Sequence, residues 1–207
     1  MKLSAPILAL ILCSVLTVST QAAEIVLENF DSYATTADLQ KRWNAFGSAA
    51  SAGPATLSKA PSQTGGKAAL FQLNWDAGNN ANMRLAALPE NLQDLSGYQS
   101  VAVTLRLADD SGGYGQPSAP TKLRLVVRGG ADETIWQTDA DAMPPVPGGE
   151  TVTLILPLSQ KTMTRESGRS SLSETLSKVG DLRLRFENEE AANTRQDAYV
   201  ESITLIQ

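Results

Sequence analysis

The sequence predicts an all-β fold, an antiparallel β-sandwich or barrel. Two observations carry that prediction. Short segments in which apolar and polar residues alternate recur along the chain, separated by Gly, Pro, Asn and Ser, the pattern of half-buried strands joined by turns. Long amphipathic helices between strands, which a parallel α/β fold needs, are missing: only two short stretches read as helical.

Residues 1–23 are set apart from the fold. Met1-Lys2 precedes an apolar run from Ile7 to Val18, and Thr20-Gln21-Ala22-Ala23 offers small residues for cleavage. The run is shorter than the ~18 to 20 residues a bilayer span needs, so the segment reads as a secretory signal peptide. The expected destination is secretion or the periplasm. Residues 24–207 are expected to form one domain, with a size sufficient to bury a core without staples.

The elements follow in order. Glu24–Phe30 is a first strand, and Thr36–Trp43 a short helix with Thr36 as its cap. Ser48–Gly66 is small and polar, with a brief strand at Ala55–Ser58 between turns. In Lys67–Trp75, Ala69, Phe71 and Leu73 make one face; Ala81–Ala87 is a further strand. In Gln99–Leu107, Val101, Val103, Leu105 and Leu107 share a face. Asp109–Pro120 is a Gly/Ser/Pro loop. Lys122–Arg128 turns Leu123, Leu125 and Val127 inward, and Thr134–Thr138 is a short strand. Met143–Glu150 breaks the pattern before Thr151–Leu156. Ser159–Arg169 is a polar loop and Leu172–Val179 a short helix. Leu182, Leu184 and Phe186 then alternate, and Asp197–Gln207 closes the chain as a strand. Strict alternation in that last strand puts Glu201 on the face of Ile203 and Leu205, where an unpaired carboxylate is costly.

Composition excludes several chemistries. The chain has no His, which removes Ser-His-Asp and Cys-His catalysis and histidine metal sites. Cys13 is the sole cysteine and lies in the signal segment, so the mature chain has neither disulfides nor thiolate zinc sites. The net charge is -5 with no basic tail, which argues against a nucleic-acid partner.

Four stretches together resemble the galactose-binding-domain-like jelly rolls found as secreted carbohydrate-binding modules: "LENFDSY" followed by Trp43, "GGKAALFQLNW", "LSGYQSVAVTLRL", and "LSKVGDLRLRFEN" with "DAYVESITLIQ". The likeness runs over nearly the whole mature chain. It implies an antiparallel jelly roll with one or two short helices, and carbohydrate as the partner. It also implies a structural calcium ion, held by an inward Asp of the last strand, an acidic residue near the first strand, and carbonyls of the small-residue turn. The matching positions here are Glu201, which departs from Asp by a methylene, with Glu28 or Asp31, and carbonyls around residues 65–67.

Sugar recognition needs rings to stack on pyranose faces and polar groups to read hydroxyls. Trp75, which enters the amide-rich "DAGNNAN" with Asn79, Tyr114 in a Gly-rich loop, and Trp136 on a short strand are the candidate ligand contacts. For each ring, core packing is at least as strong a reading. Arg106, Arg124, Arg183 and Arg185 alternate with inward apolar residues and should project outward, with Arg84 joining them. On neighbouring strands they would form a cationic stripe suited to carboxylates; pairing with Glu187, Glu189 or Asp181 is the plainer account. Adjacent carboxylates such as Asp109-Asp110 point to opposite faces, so no catalytic pair is visible. The expectation is an exported, non-catalytic carbohydrate-binding protein. A polysaccharide lyase or hydrolase on the same fold, and a structural or adhesion protein of the cell envelope, are the alternatives.

Overall fold

A computed structural model describes residues 23–49, 55–62, 66–75, 78–108, 119–189 and 194–207. Among the described residues, twelve strands and two short α-helices follow one another: β1 (Glu24–Glu28), α1 (Thr36–Arg42), β2 (Trp43–Phe46), β3 (Thr56–Lys59), β4 (Lys67–Asn74), β5 (Asn80–Leu85), β6 (Ser100–Leu107), β7 (Lys122–Gly129), β8 (Thr134–Thr138), β9 (Thr151–Pro157), β10 (Met163–Ser167), α2 (Leu172–Leu176), β11 (Val179–Glu187) and β12 (Arg195–Ile206). Residues 1–22 of the signal segment, Tyr114 and the carbonyl of Gly65 lie outside the described residues.

The strands form two antiparallel sheets. The first has the order β3-β4-β12-β6-β9, with β1 also paired to β12; the second has the order β10-β8-β7-β11-β5-β2. The chain is a β-sandwich jelly roll, as its alternating segments predict. Leu73, Phe71 and Val103 of the first sheet and Leu125, Leu184 and Phe186 of the second belong to one buried cluster. The rings of Phe71 and Phe186 meet across the sandwich at 6.0 Å. Each such side chain contributes roughly 1.5–3 kcal/mol of burial.

Local chemistry places the helices. Thr35, rather than the expected Thr36, caps α1: its side chain accepts the Asp38 amide. Ser171 and Glu174 form a reciprocal capping box at α2. The end of α2 lies against β7 so closely that a Cβ at Gly129 would stand 2.2 Å from the Lys178 carbonyl oxygen. Only glycine admits that approach.

Two strands depart from the expected order. Trp43–Phe46, expected in part as the end of a helix, is an edge strand paired to β5. Met163–Ser167 lies within the expected polar loop and pairs with β8. It buries only Met163, so it carries almost no apolar alternation.

Candidate functional site

The face of Glu201 is corrected by a bulge. The pairing of β12 with β6 shifts between Val200 and Ser202. Ala198 and Val200 are buried before the shift, and Ile203 and Leu205 after it, while Glu201 and Ser202 are both only half-buried. One extra residue reverses the parity, so Glu201 does not share the core face of Ile203 and Leu205. It lies where β4 and β1 meet along β12, and accepts a hydrogen bond from the Ser62 amide at 2.9 Å.

Of the three acidic residues expected to hold calcium, Glu28 is the buried one. Its carboxylate accepts the Tyr33 hydroxyl at 2.7 Å, the Trp43 indole N–H at 3.2 Å and the Phe30 amide at 3.0 Å. Those donors replace the water it loses. Burial, followed by the hydrogen bond to Glu28, raises the Tyr33 phenol above its ordinary value. Glu28 thus organises a core corner in which the Phe30 and Trp43 rings meet at 5.8 Å.

Asp31 and Glu201 line a shared hollow with Asn29, Ser62 and Lys67. There the Lys67 ammonium donates to the carbonyls of Tyr33 at 2.6 Å and Asp31 at 3.2 Å, and its backbone amide to Asp31 Oδ1 at 2.9 Å. Calcium takes six to eight oxygens, several of them carboxylate. Glu28 is engaged by its own donors, and among the described residues no group of three acidic side chains is poised for a metal. Among the described residues, the Lys67 ammonium already supplies positive charge to this hollow.

The expected sugar contacts are scattered. Trp75 is wholly buried, and its indole N–H donates to Gln196 Oε1 at 3.0 Å. It plugs the core and cannot stack on a ligand. Trp136 sits opposite the core residue Val127, is half-buried, and donates to the Ser170 carbonyl at 3.2 Å. Asn79 is exposed just before β5, where its side-chain oxygen accepts from Asn80. Arg106 projects from the first sheet, beside Tyr199 and Lys59 at a shallow hollow. It is therefore not part of the stripe that contains Arg124.

The stripe itself is assembled on the outer face of the second sheet. One row runs Asn44, Arg84, Arg183, Val126, Gln137 across β2, β5, β11, β7 and β8; the next runs Phe46, Asn82, Arg185, Arg124. Arg183 pairs with Asp181 at 2.8 Å, Arg84 with Asp181 at 3.1 Å, Arg124 with Glu187 at 3.0 Å and Arg185 with Glu187 at 2.8 Å. The expected cross-strand pairing is therefore present as well. Val126 stays only 2% exposed on this outward face, in the row it shares with the long stem of Arg183. At the Asp181 end lies a cleft of about 390 Å³, lined by Arg84, Arg128, Lys178 and Gly180 among others.

Phe46 stands at the margin of this face, 41% exposed, with the Arg183 guanidinium 5.6 Å from its ring centre. Phe carries no polar tip, so the composition of this stretch does not single it out. Its signal is the alternation of buried Trp43 with outward Asn44 and Phe46 in "WNAF".

This fold recurs in solved structures. A family 11 carbohydrate-binding module from Clostridium thermocellum, in complex with a β-1,3-1,4-mixed-linked tetrasaccharide, is similar at TM-score 0.56 and 13% identity, over 91% of this chain and 97% of that one. The chain has the jelly-roll fold of carbohydrate-binding modules. A module specific for non-crystalline cellulose is similar at TM-score 0.52 and 8% identity, over 89% of this chain and 95% of that one. An agarase is similar at TM-score 0.53 and 8% identity, over 89% of this chain and 24% of the enzyme. No protein-family model matches the chain, and no curated protein sequence matches it.

Proposed function

We propose that this protein is an exported, non-catalytic carbohydrate-binding protein, and that the outer face of the second sheet is its glycan platform. The observation that carries this reading is Phe46, an exposed ring flush with rows of amide and guanidinium groups. A pyranose face stacks on such a ring while its hydroxyls meet Asn44 and the part-exposed guanidiniums of Arg84, Arg183 and Arg185; Asn82 and Arg124, both buried, only underlie the platform. The fold it shares with carbohydrate-binding modules supports the reading.

The carboxylates of this face support binding without chemistry. Asp181 is held by Arg84 and Arg183, and Glu187 by Arg124 and Arg185. Both are engaged by cations rather than facing one another across an open cleft as a glycosidase pair does. The apolar Ile7–Val18 run directs export.

A glycan array on the mature protein, followed by titration of the best ligand, tests this. Phe46→Ala should weaken binding by about tenfold, the order of one stacking contact, and leave the melting temperature unchanged. Wild-type affinity in Phe46→Ala would remove the platform from this face.

A further inference from the structure

The outer face of the second sheet carries Lys122, Arg84, Arg124, Arg128, Arg183 and Arg185, against the carboxylates of Asp181, Glu187, Glu133 and Glu189. In these ion pairs six cations meet four carboxylates, on a chain whose net charge is -5. The imbalance is sharpest at the cleft. The Asp181 side chain is 2% exposed, and three guanidiniums converge on it, from Arg183 at 2.8 Å, Arg84 at 3.1 Å and Arg128 at 3.6 Å. One carboxylate cannot neutralise three guanidiniums. Glu133 reaches only Arg128. Lys178 lines the same cleft.

Resting on the glycan-binding reading of this face, we propose that the glycan is acidic, a uronate-bearing polysaccharide. Its carboxylates bind at the cleft between Arg84 and Arg128 while neighbouring sugars run towards Phe46. A carboxylate matches the guanidinium fork in plane and spacing, and charge-assisted pairs of this kind are roughly twice as strong as neutral hydrogen bonds. Neutral glycans gain nothing from the excess charge. The buried Asp181 fixes the arginines in place before the ligand arrives, which lowers the ordering cost of binding.

The test compares polymers on the wild-type protein by calorimetry at low and high salt: polygalacturonate, the same polymer with its carboxyls reduced to alcohols, dextran sulfate and a neutral mixed-linkage glucan. Polygalacturonate should bind at least about tenfold more tightly than its reduced form, a difference of about 1.4 kcal/mol, and weaken as salt rises. Arg84→Gln should narrow that preference. Equal binding of the reduced polymer overturns the proposal, and so does equal binding of dextran sulfate, which makes the face a generic polyanion trap. Binding of the neutral glucan without polygalacturonate overturns it while leaving the glycan-binding reading intact. No binding to any polymer overturns both.

Discussion

At the residue scale, two side chains show how charge is managed inside this sandwich. Glu28 is buried because four donors meet it, from Tyr33, Trp43, Phe30 and Asn29, with the Arg42 guanidinium 3.9 Å away. Glu28→Ala leaves those donors without their acceptor and should cost about 3–5 kcal/mol, the range for breaking a buried charged pair. Glu28→Gln, which keeps an acceptor, should cost less. Denaturant midpoints decide it, and a loss below about 1 kcal/mol for the alanine variant would show the network to be dispensable. Lys67 bridges the carbonyls of Tyr33 and Asp31. Lys67→Met should lose about 1–3 kcal/mol, whereas EDTA should leave the wild-type melting temperature where it was. A fall in EDTA would restore a cation to the Asp31–Glu201 hollow. None of this was legible from spacing. Alternation assigned Glu201 to the core, and one bulge residue reversed it. Trp75 shows a similar limit: its amide-rich neighbours suggested a loop ligand, yet its ring closes the core against Gln196.

At the scale of elements, alternation was a good guide wherever a strand buries one face over its whole length. β6, β7 and β11 place their apolar and polar residues as read, and the outward positions of Arg84, Arg124, Arg183 and Arg185 came with them. Arg106 fails to join them because a strand's period carries no information about which sheet it enters; β6 belongs to the other one. β2 and β10 escaped for a different reason. A strand of four or five residues at a sheet edge, burying a single side chain, leaves too short a pattern to detect. The edge strand β10 is tied back by a turn residue. Asp132 accepts from Thr134, Ser170 and the Arg169 amide, and those hydrogen bonds, Thr134 first, hold its carboxyl far below the ordinary carboxylate range. A depressed carboxylate contributes stability that is complete above its unfolded value of ~4 and fades as pH falls towards the folded one. Asp132→Asn should therefore melt below wild type at neutral pH, with the gap closing in acid. A gap that is the same at both pH values would mean that the charge of Asp132 is irrelevant.

At the scale of the whole molecule, the two sheets divide the work. Their inner faces form one apolar cluster. The outer face of the second sheet gathers the charged rows and Phe46, and the first sheet offers an outward hollow of about 380 Å³ at Arg106 and Tyr199. Sequence could name the sandwich because its core obeys a simple period, but the platform is a product of topology. Phe46, Asn82, Arg185 and Arg124 come from four strands far apart in the chain and meet only in the finished sheet. The decisive measurement is amide chemical-shift mapping of the mature protein titrated with the glycan that binds it best on an array. Shifts concentrated on β2, β5, β11 and β7, led by Phe46 and Arg183, would place the ligand on the second sheet. Shifts gathered around Arg106 and Tyr199 instead, with that face silent, would contradict the platform and move the site to the opposite sheet.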